Sequence, residues 1–168
     1  MVVRSETEND YRAVRQVNEV AFGRPAEANL VDALRRAGAV IDSLVAEQDG
    51  AVVGHILFSP ATLTGEEGVV DTAALGPMAV LPAYQRLGIG GELVRAGLDR
   101  CREAGYGLCM VLGHAEYYPR FGFRPSRPLG IRWEHDVAEP YFMVAELRAG
   151  ALEGATGVVR YRPEFDGV

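Results

Sequence analysis

The sequence predicts a mixed α/β (α+β) fold, built on a mostly antiparallel sheet of six to seven strands with helices packed against it. That expectation rests on three features. Asp49-Gly50 separates two apolar runs at 43–47 and 51–58, and Asp-Gly readily supplies the positive φ angles of a tight hairpin. A strand pattern at 72–80, a helical pattern at 89–104 and a strand pattern at 108–112 follow one another. A right-handed crossover then makes the two strands parallel neighbours. Finally, no repeat or low-complexity tract interrupts the 168 residues, 48% of them hydrophobic, so one domain over 1–168 is expected.

In chain order, Val2-Val3 reads as a short first strand. Thr7, three residues before Asp10, reads as the N-cap of a helix with Tyr11, Val14, Val17 and Ala21 on one face. A second helix starts near Pro25 and Ala26, turns Leu30, Val31 and Leu34 inward and stops near Gly38. The hairpin follows, then a turn at Gly65-Glu66-Glu67-Gly68 and the strand 72–80, which Pro82 closes. The helix beyond the loop 83–88 has Ile89, Leu93, Ala96, Leu98 and Cys101 on its inner face, and Gly105 ends it. Residues 108–112 are almost wholly apolar, as in a buried strand. A helical turn is expected at 117–121, a Pro-rich loop at 125–128, a strand at 141–147, a loop at 150–157 and a last strand or edge cover at 158–161.

Composition excludes several classes. The net charge of −6 and the lack of a Lys/Arg-rich run argue against a nucleic-acid or membrane-surface partner. No stretch approaches the ~20 consecutive apolar residues of a membrane span, and Met1 leads into the polar Arg4-Ser5-Glu6 with no signal-like segment, so a cytoplasmic location is expected. Cys101 and Cys109 are the only cysteines, too few for a disulfide framework. No Cys/His pair has metal-ligand spacing, so no metal is expected.

Gln85-Arg86-Leu87-Gly88-Ile89-Gly90 lies between a strand and a helix start, where unpartnered backbone N–H groups and the helix dipole favour an anion. Gly88 and Gly90 let backbone approach phosphate oxygens, and Arg86 can add a charged hydrogen bond. Two other nucleotide motifs fail here. A P-loop needs Lys and Ser/Thr where this chain has Gly91-Glu92. A Rossmann fingerprint needs Gly or Ala where Leu93 stands, and residues 108–112 run into Gly113-His114 with no acidic residue.

Gln-x-x-Gly-x-Gly, preceded by Leu75-Gly76-Pro77-Met78-Ala79-Val80-Leu81-Pro82 and followed by Tyr117-Tyr118-Pro119-Arg120-Phe121-Gly122-Phe123, resembles the GNAT superfamily of N-acetyltransferases. Beyond Phe123, residues 142–147 and 157–161 are similar to the YhbS-like subgroup. The resemblance implies two central parallel strands that splay into a V-shaped slot for acetyl-CoA, a cosubstrate that calls for no metal. It also implies that the backbone of Met78, Ala79 and Val80 holds the pantetheine arm like an added strand. The loop formed by Gln85, Arg86, Leu87, Gly88, Ile89, Gly90 and Gly91 would take the pyrophosphate. The acceptor would be a small-molecule or peptide amine, and a homodimer through the C-terminal strands is expected by analogy.

Acetyl transfer to an amine needs a neutral amine, a stabilised oxyanion and a proton for the leaving thiolate. The resemblance aligns Tyr118 with the family's general acid. A phenol of pKa ~10 can protonate a thiolate whose acid has pKa ~8.5 without being ionised itself. Two departures stand out. Val111-Leu112-Gly113-His114 fills a stretch where the family often has Asn, and Arg120 replaces a common Lys. No Glu occurs at 72–80, where many members carry the base, so Glu27, His55, His114, Glu116 or a water chain remain open for that role. Trp133 is a candidate either for core packing or for a wall of the acceptor pocket. The same cofactor features would also suit an acyl-CoA sensor without turnover, or an acyltransferase using another acyl chain or an oxygen acceptor.

Overall fold

A nine-stranded mixed sheet runs through the computed structural model of the chain, which describes residues 1–138 and 140–168. Its strands are β1 (Val2–Ser5), β2 (Asp42–Gln48), β3 (Ala51–Gly65), β4 (Gly68–Val80), β5 (Leu108–Leu112), β6 (Phe123–Pro125), β7 (Ile131–Trp133), β8 (Phe142–Glu146) and β9 (Gly157–Arg160). The spatial order is β1-β2-β3-β4-β5-β8-β6, while β9 pairs with the outer half of β3 and carries β7 beside it. Among the described residues only the pairs β4–β5 and β7–β9 are parallel.

The count exceeds the six to seven strands expected, because β6 and β7, on either side of the stretch 125–128 read as a Pro-rich loop, were not counted. Each is three residues long, too short to show an alternating pattern. β3 and β4 also run well past 51–58 and 72–80, meeting at the Gly65–Gly68 turn. Pro60 is tolerated inside β3 because its free edge faces the gap between the end of β2 pairing at Phe58 and the start of β9 pairing at Thr62.

Three helices cover the sheet: α1 (Tyr11–Phe22), α2 (Ala26–Arg36) and α3 (Ile89–Glu103). A 3₁₀ turn at Glu8–Asp10 precedes α1. Thr7 is its N-cap, as expected, and the Asp10 carboxylate three residues on reaches back to accept the Thr7 backbone N–H at 2.8 Å while itself held by Arg4. Strand alternation divides the core. Leu44, Ala46, Ile56 and Phe58 meet Leu93, Val94 and Leu98 of α3, while Val45 and Leu57 point the other way, onto Val14, Leu30, Val31 and Leu34 of α1 and α2. Each fully buried Val, Leu, Ile or Phe side chain among them stabilises the fold by about 1.5–3 kcal/mol relative to exposure. α3 approaches so closely that a Cβ on Gly97 would stand 1.9 Å from the Phe58 ring.

The sheet opens at its centre. β4 pairs with β5 only at Ala73↔Cys109, Ala74↔Met110 and Leu75↔Val111. Immediately beyond, Leu57 of β3 stands opposite both Gly76 and Pro77, a bulge that redirects β4. From there to Val80, β4 follows β3 alone, and the expected splay is present as a wedge between β4 and β5. Among the described residues, no helix is long and apolar enough to cross a membrane.

Candidate functional site

A cleft of about 1740 Å³ occupies this wedge and reaches both sides of the sheet. It exceeds the ~300–1,000 Å³ of one ordinary small-molecule site, leaving room for two ligands. On the α3 side it is lined by the 78–91 segment, Arg95 and the 111–121 segment. On the other side it is lined by the α1–α2 connection, Trp133 to His135, Tyr161 and the last residues of the chain. Charge is divided between the two sides. Arg86, Arg95 and Arg120 line the first, whereas Glu27, Glu134 and Asp166 line the second together with Arg24.

On the cationic side, the Leu81 N–H donates to Val53 O at 2.9 Å. By alternation the peptide groups of Met78 and Val80 then face away from β3, into the wedge, while those of Ala79 pair with β3. The Gln85 side-chain amide donates to Val80 O at 3.0 Å, so this residue pins the strand-to-loop corner and occupies one edge acceptor. Met78 N–H and C=O and Val80 N–H are left to the wedge.

Gly88 begins α3 at φ +86°, a left-handed conformation suited to glycine, with nothing near the position of a Cβ. The first helical N–H to find an intrahelical acceptor is that of Glu92, on Gly88 O at 3.1 Å, so the amides of Gly88, Ile89, Gly90 and Gly91 are free of such bonds. The Leu87 side chain is exposed and that of Ile89 is in the core, so neither lines the cleft and only their amides are available there. Gly90 is glycine for another reason: a Cβ there would stand 2.9 Å from the Tyr117 hydroxyl. Arg95, which the sequence reading missed, lies over Phe121 with its guanidinium 5.1 Å from the ring centre. Arg120 lies over Tyr117 at 4.8 Å.

The two adjacent tyrosines part ways. The Tyr117 hydroxyl sits against the start of α3, while Tyr118 is buried just past the end of β5 and still lines the cleft. Its ring is held by Phe123 at 5.7 Å and Tyr117 at 5.1 Å, both edge-on, and by Gly113, where a Cβ would stand 2.4 Å from Cε2. Burial, with smaller contributions from Tyr117 and Cys109, pushes the Tyr118 phenol well above its ordinary value, so it carries its proton at neutral pH.

Of the four side chains considered for the base, Glu27 and His114 line the cleft, while Glu116 is exposed outside it. His55 is sealed in the core, with Nδ1 beside Asn18 Nδ2 at 3.1 Å and Nε2 beside Ser43 Oγ at 2.8 Å. Burial, reinforced by Arg35, pushes its pKa down to about 3, so the ring is neutral and structural. Glu27, in the first turn of α2, is only 6% exposed, and its carboxylate accepts both Arg24 Nε and a terminal guanidinium N–H. Cys101 and Cys109 are buried free thiols; burial pushes Cys101 up to about 12.

Trp133 does line the cleft, stacked on Phe142 at 5.8 Å and tilted against Tyr161 at 5.6 Å. Sequence reasoning missed Tyr161, Glu134, His135 and Asp166. The carboxylates and imidazole of the last three lie within 4.8 Å of one another, a spacing that also suits a cation. They come from a loop and from the chain's last residues, where no local pattern marks them.

A family model for an acetyltransferase (GNAT) domain matches residues 2–126. The chain is 35% identical over 167 residues to the uncharacterized N-acetyltransferase YhbS of Escherichia coli (strain K12), covering 99% of each. It is 44% identical over 119 residues to the uncharacterized N-acetyltransferase YjhQ of the same organism, a match covering 70% of this chain and 66% of YjhQ. Among solved structures, that of E. coli YhbS in complex with CoA aligns at a TM-score of 0.92 and 34% identity, covering 98% of this chain and 91% of the other. A GNAT family acetyltransferase from Brucella melitensis in complex with acetyl-CoA aligns at 0.80 and 40% identity, covering 98% and 97%.

Proposed function

The chain belongs to the GNAT family of acetyltransferases, and we propose that it moves an acetyl group from acetyl-CoA directly onto an acceptor amine, with Tyr118 as general acid. The observation that carries this reading is Tyr118 itself: a protonated phenol, clamped by its neighbours, on the wall of the cleft that opens where β4 leaves β5.

The cleft fits the cosubstrate in three respects. Met78 and Val80 offer unpaired edge groups for an amide-bearing arm. Gly88, Ile89, Gly90 and Gly91 offer free amides at the positive end of α3 for a pyrophosphate. Arg86, Arg95 and Arg120 surround that end with positive charge. When bound, the thioester supplies an activated acetyl carbon and a sulfur leaving group.

An amine of pKa near ~10.4 is only about a thousandth neutral at pH 7.4, a handicap of roughly 4 kcal/mol. We assign removal of that ammonium proton to Glu27, the described carboxylate that is both buried and on the cleft wall, with Arg24 fixing its orientation, and the carboxyl passes the proton on to solvent before the neutral nitrogen attacks. Glu27 takes the proton that nitrogen loses as it bonds to the acetyl carbon. Tyr118 gives its proton to sulfur as the carbon–sulfur bond breaks, and exchange with solvent restores both groups.

Steady-state turnover of Tyr118→Phe tests the reading. Removal of the hydroxyl is expected to leave acetyl-CoA affinity intact and to lower kcat by ~10²-fold or more, the range general acids supply. An unchanged kcat would assign the thiolate's proton to another donor.

A further inference from the structure

Tyr117 lines the cleft beside Tyr118, yet the chemistry above gives its hydroxyl no task. That hydroxyl sits in the notch left by the missing side chain of Gly90, where a Cβ would stand 2.9 Å from Oη. The Met78 side chain borders the same notch, with Sδ and Cε each 3.9 Å from the Cβ position. Oη therefore stands at the corner where the unpaired edge of β4 gives way to the free amides of Gly88, Ile89, Gly90 and Gly91. Three contacts fix the half-buried ring. Tyr118 and Phe121 meet it edge-on, at 5.1 and 5.2 Å between centres. Arg120 lies over it at 4.8 Å, and the Arg120 Nε–H donates to Tyr117 O at 3.1 Å. A phenylalanine ring would make the same contacts. Among the described residues no hydrogen bond reaches the hydroxyl, so the one feature that distinguishes Tyr117 from Phe is turned to the cleft without a protein partner. Burial pushes the phenol's pKa up, against the lesser pull of Arg120 and Arg95, so it keeps its proton at neutral pH and is a donor.

Resting on the acetyltransferase reading above, we propose that Tyr117 is a binding residue for the diphosphate of the cosubstrate, its Oη–H donating to a phosphate oxygen alongside the amides that open α3. The backbone amides at 88–91 and this phenol converge on one corner, and each offers a hydrogen to an anion. The adjacent tyrosines then have separate tasks. Tyr118 acts on the thioester sulfur and Tyr117 on the diphosphate, while Gly90 is glycine so that the hydroxyl can enter.

Tyr117→Phe removes the hydroxyl and keeps the ring. Calorimetry is expected to show CoA binding about tenfold more weakly to the variant, the scale of one hydrogen bond to a charged group, with the thermal unfolding midpoint unchanged. Two fragments locate the loss. ADP carries a diphosphate without the arm, and its inhibition constant against CoA should rise in the variant by the same factor. Pantetheine carries the arm without the diphosphate, and its constant should not move. Gly90→Ala supplies a second variant: its methyl crowds Oη at 2.9 Å in wild type but meets no oxygen in Tyr117→Phe. The methyl should therefore cost less CoA affinity in the Tyr117→Phe background than in wild type. In turnover the loss from Tyr117→Phe should appear in KM for acetyl-CoA and leave kcat unchanged. Unchanged CoA affinity in Tyr117→Phe, or a pantetheine constant that rises with that of CoA, would overturn the assignment. Wild-type protein in the same titration separates two failures. If it binds CoA and the variant binds equally well, this assignment alone fails; if it does not bind, the acetyltransferase reading fails with it.

Discussion

Gly113→Ala isolates the positioning of Tyr118 from its chemistry. The new methyl group would lie 2.4 Å from Tyr118 Cε2, whereas ordinary contact begins near 3.4 Å, so the ring must withdraw by about 1 Å. It has little room to do so, because Phe123 and Tyr117 hold its other sides edge-on and the residue is only 7% exposed. Overpacking of this kind costs ~1–3 kcal/mol of stability, and a misplacement of ~1 Å in a catalytic group can cost ~10²-fold in rate. Stopped-time assays of CoA release should show kcat falling by that order, to a level near that of Tyr118→Phe. The double variant should be little worse than either single one, because both remove the same aligned hydroxyl. Affinity for acetyl-CoA, measured by calorimetry, should stay within a few-fold and confirm an intact fold. Full turnover in a folded Gly113→Ala protein would refute the assignment of a clamped Tyr118 as the acid.

Three further outcomes are expected. Glu27→Gln should lower kcat/KM at neutral pH and recover much of it as pH rises toward the amine's own pKa; a pH–rate profile parallel to wild type would remove Glu27 as the base. Gly88→Asp places a side chain at φ +86° and a negative charge among the amides at the start of α3, so calorimetry should show acetyl-CoA binding lost while thermal unfolding is only modestly shifted. The unfolded imidazole of His55 titrates near 6.5 and the folded one near 3, so the unfolded chain binds the extra proton between those values. Stability is whole above pH 6.5 and declines as pH falls toward 3, by about 2 kcal/mol at pH 5. Urea unfolding at pH 7 and pH 5 should show that loss in wild type and a flatter response in His55→Gln.

The parts of the molecule that local chemistry dictates could be read in advance. Asp49-Gly50 specified a hairpin, the apolar spacing from Ile89 to Cys101 specified α3, and the order of strand, helix and strand specified the parallel pair β4–β5. The loop at 85–91 could be read as a candidate anion site because it is contiguous, although Gln85 and Gly90 have roles no motif shows: one pins Val80 O, the other makes room for Tyr117. β6 and β7 escaped because three-residue strands have no period to detect, and Pro125 and Pro128 pointed to loop. The anionic side of the cleft escaped for a different reason. Trp133 and Glu27 were candidates singly, but Glu134, His135, Tyr161 and Asp166 are scattered along the chain's last third, and only the closing of β9 and β7 onto β3 brings them to the wedge. Glu27 was visible at a helix start, where a solvated Glu is common. Its burial and its pairing with Arg24 depend on α2 packing over the sheet.

Calorimetric titration of the purified protein with acetyl-CoA, with NAD and ATP as controls, reaches furthest into the proposed chemistry. Micromolar-range binding of acetyl-CoA alone, lost in Gly88→Asp and kept in Tyr118→Phe, is the expected result. Absence of binding, or equal binding of the three nucleotides, would contradict the assignment of the wedge as an acetyl-CoA site and leave the loop at 85–91 as a structural turn.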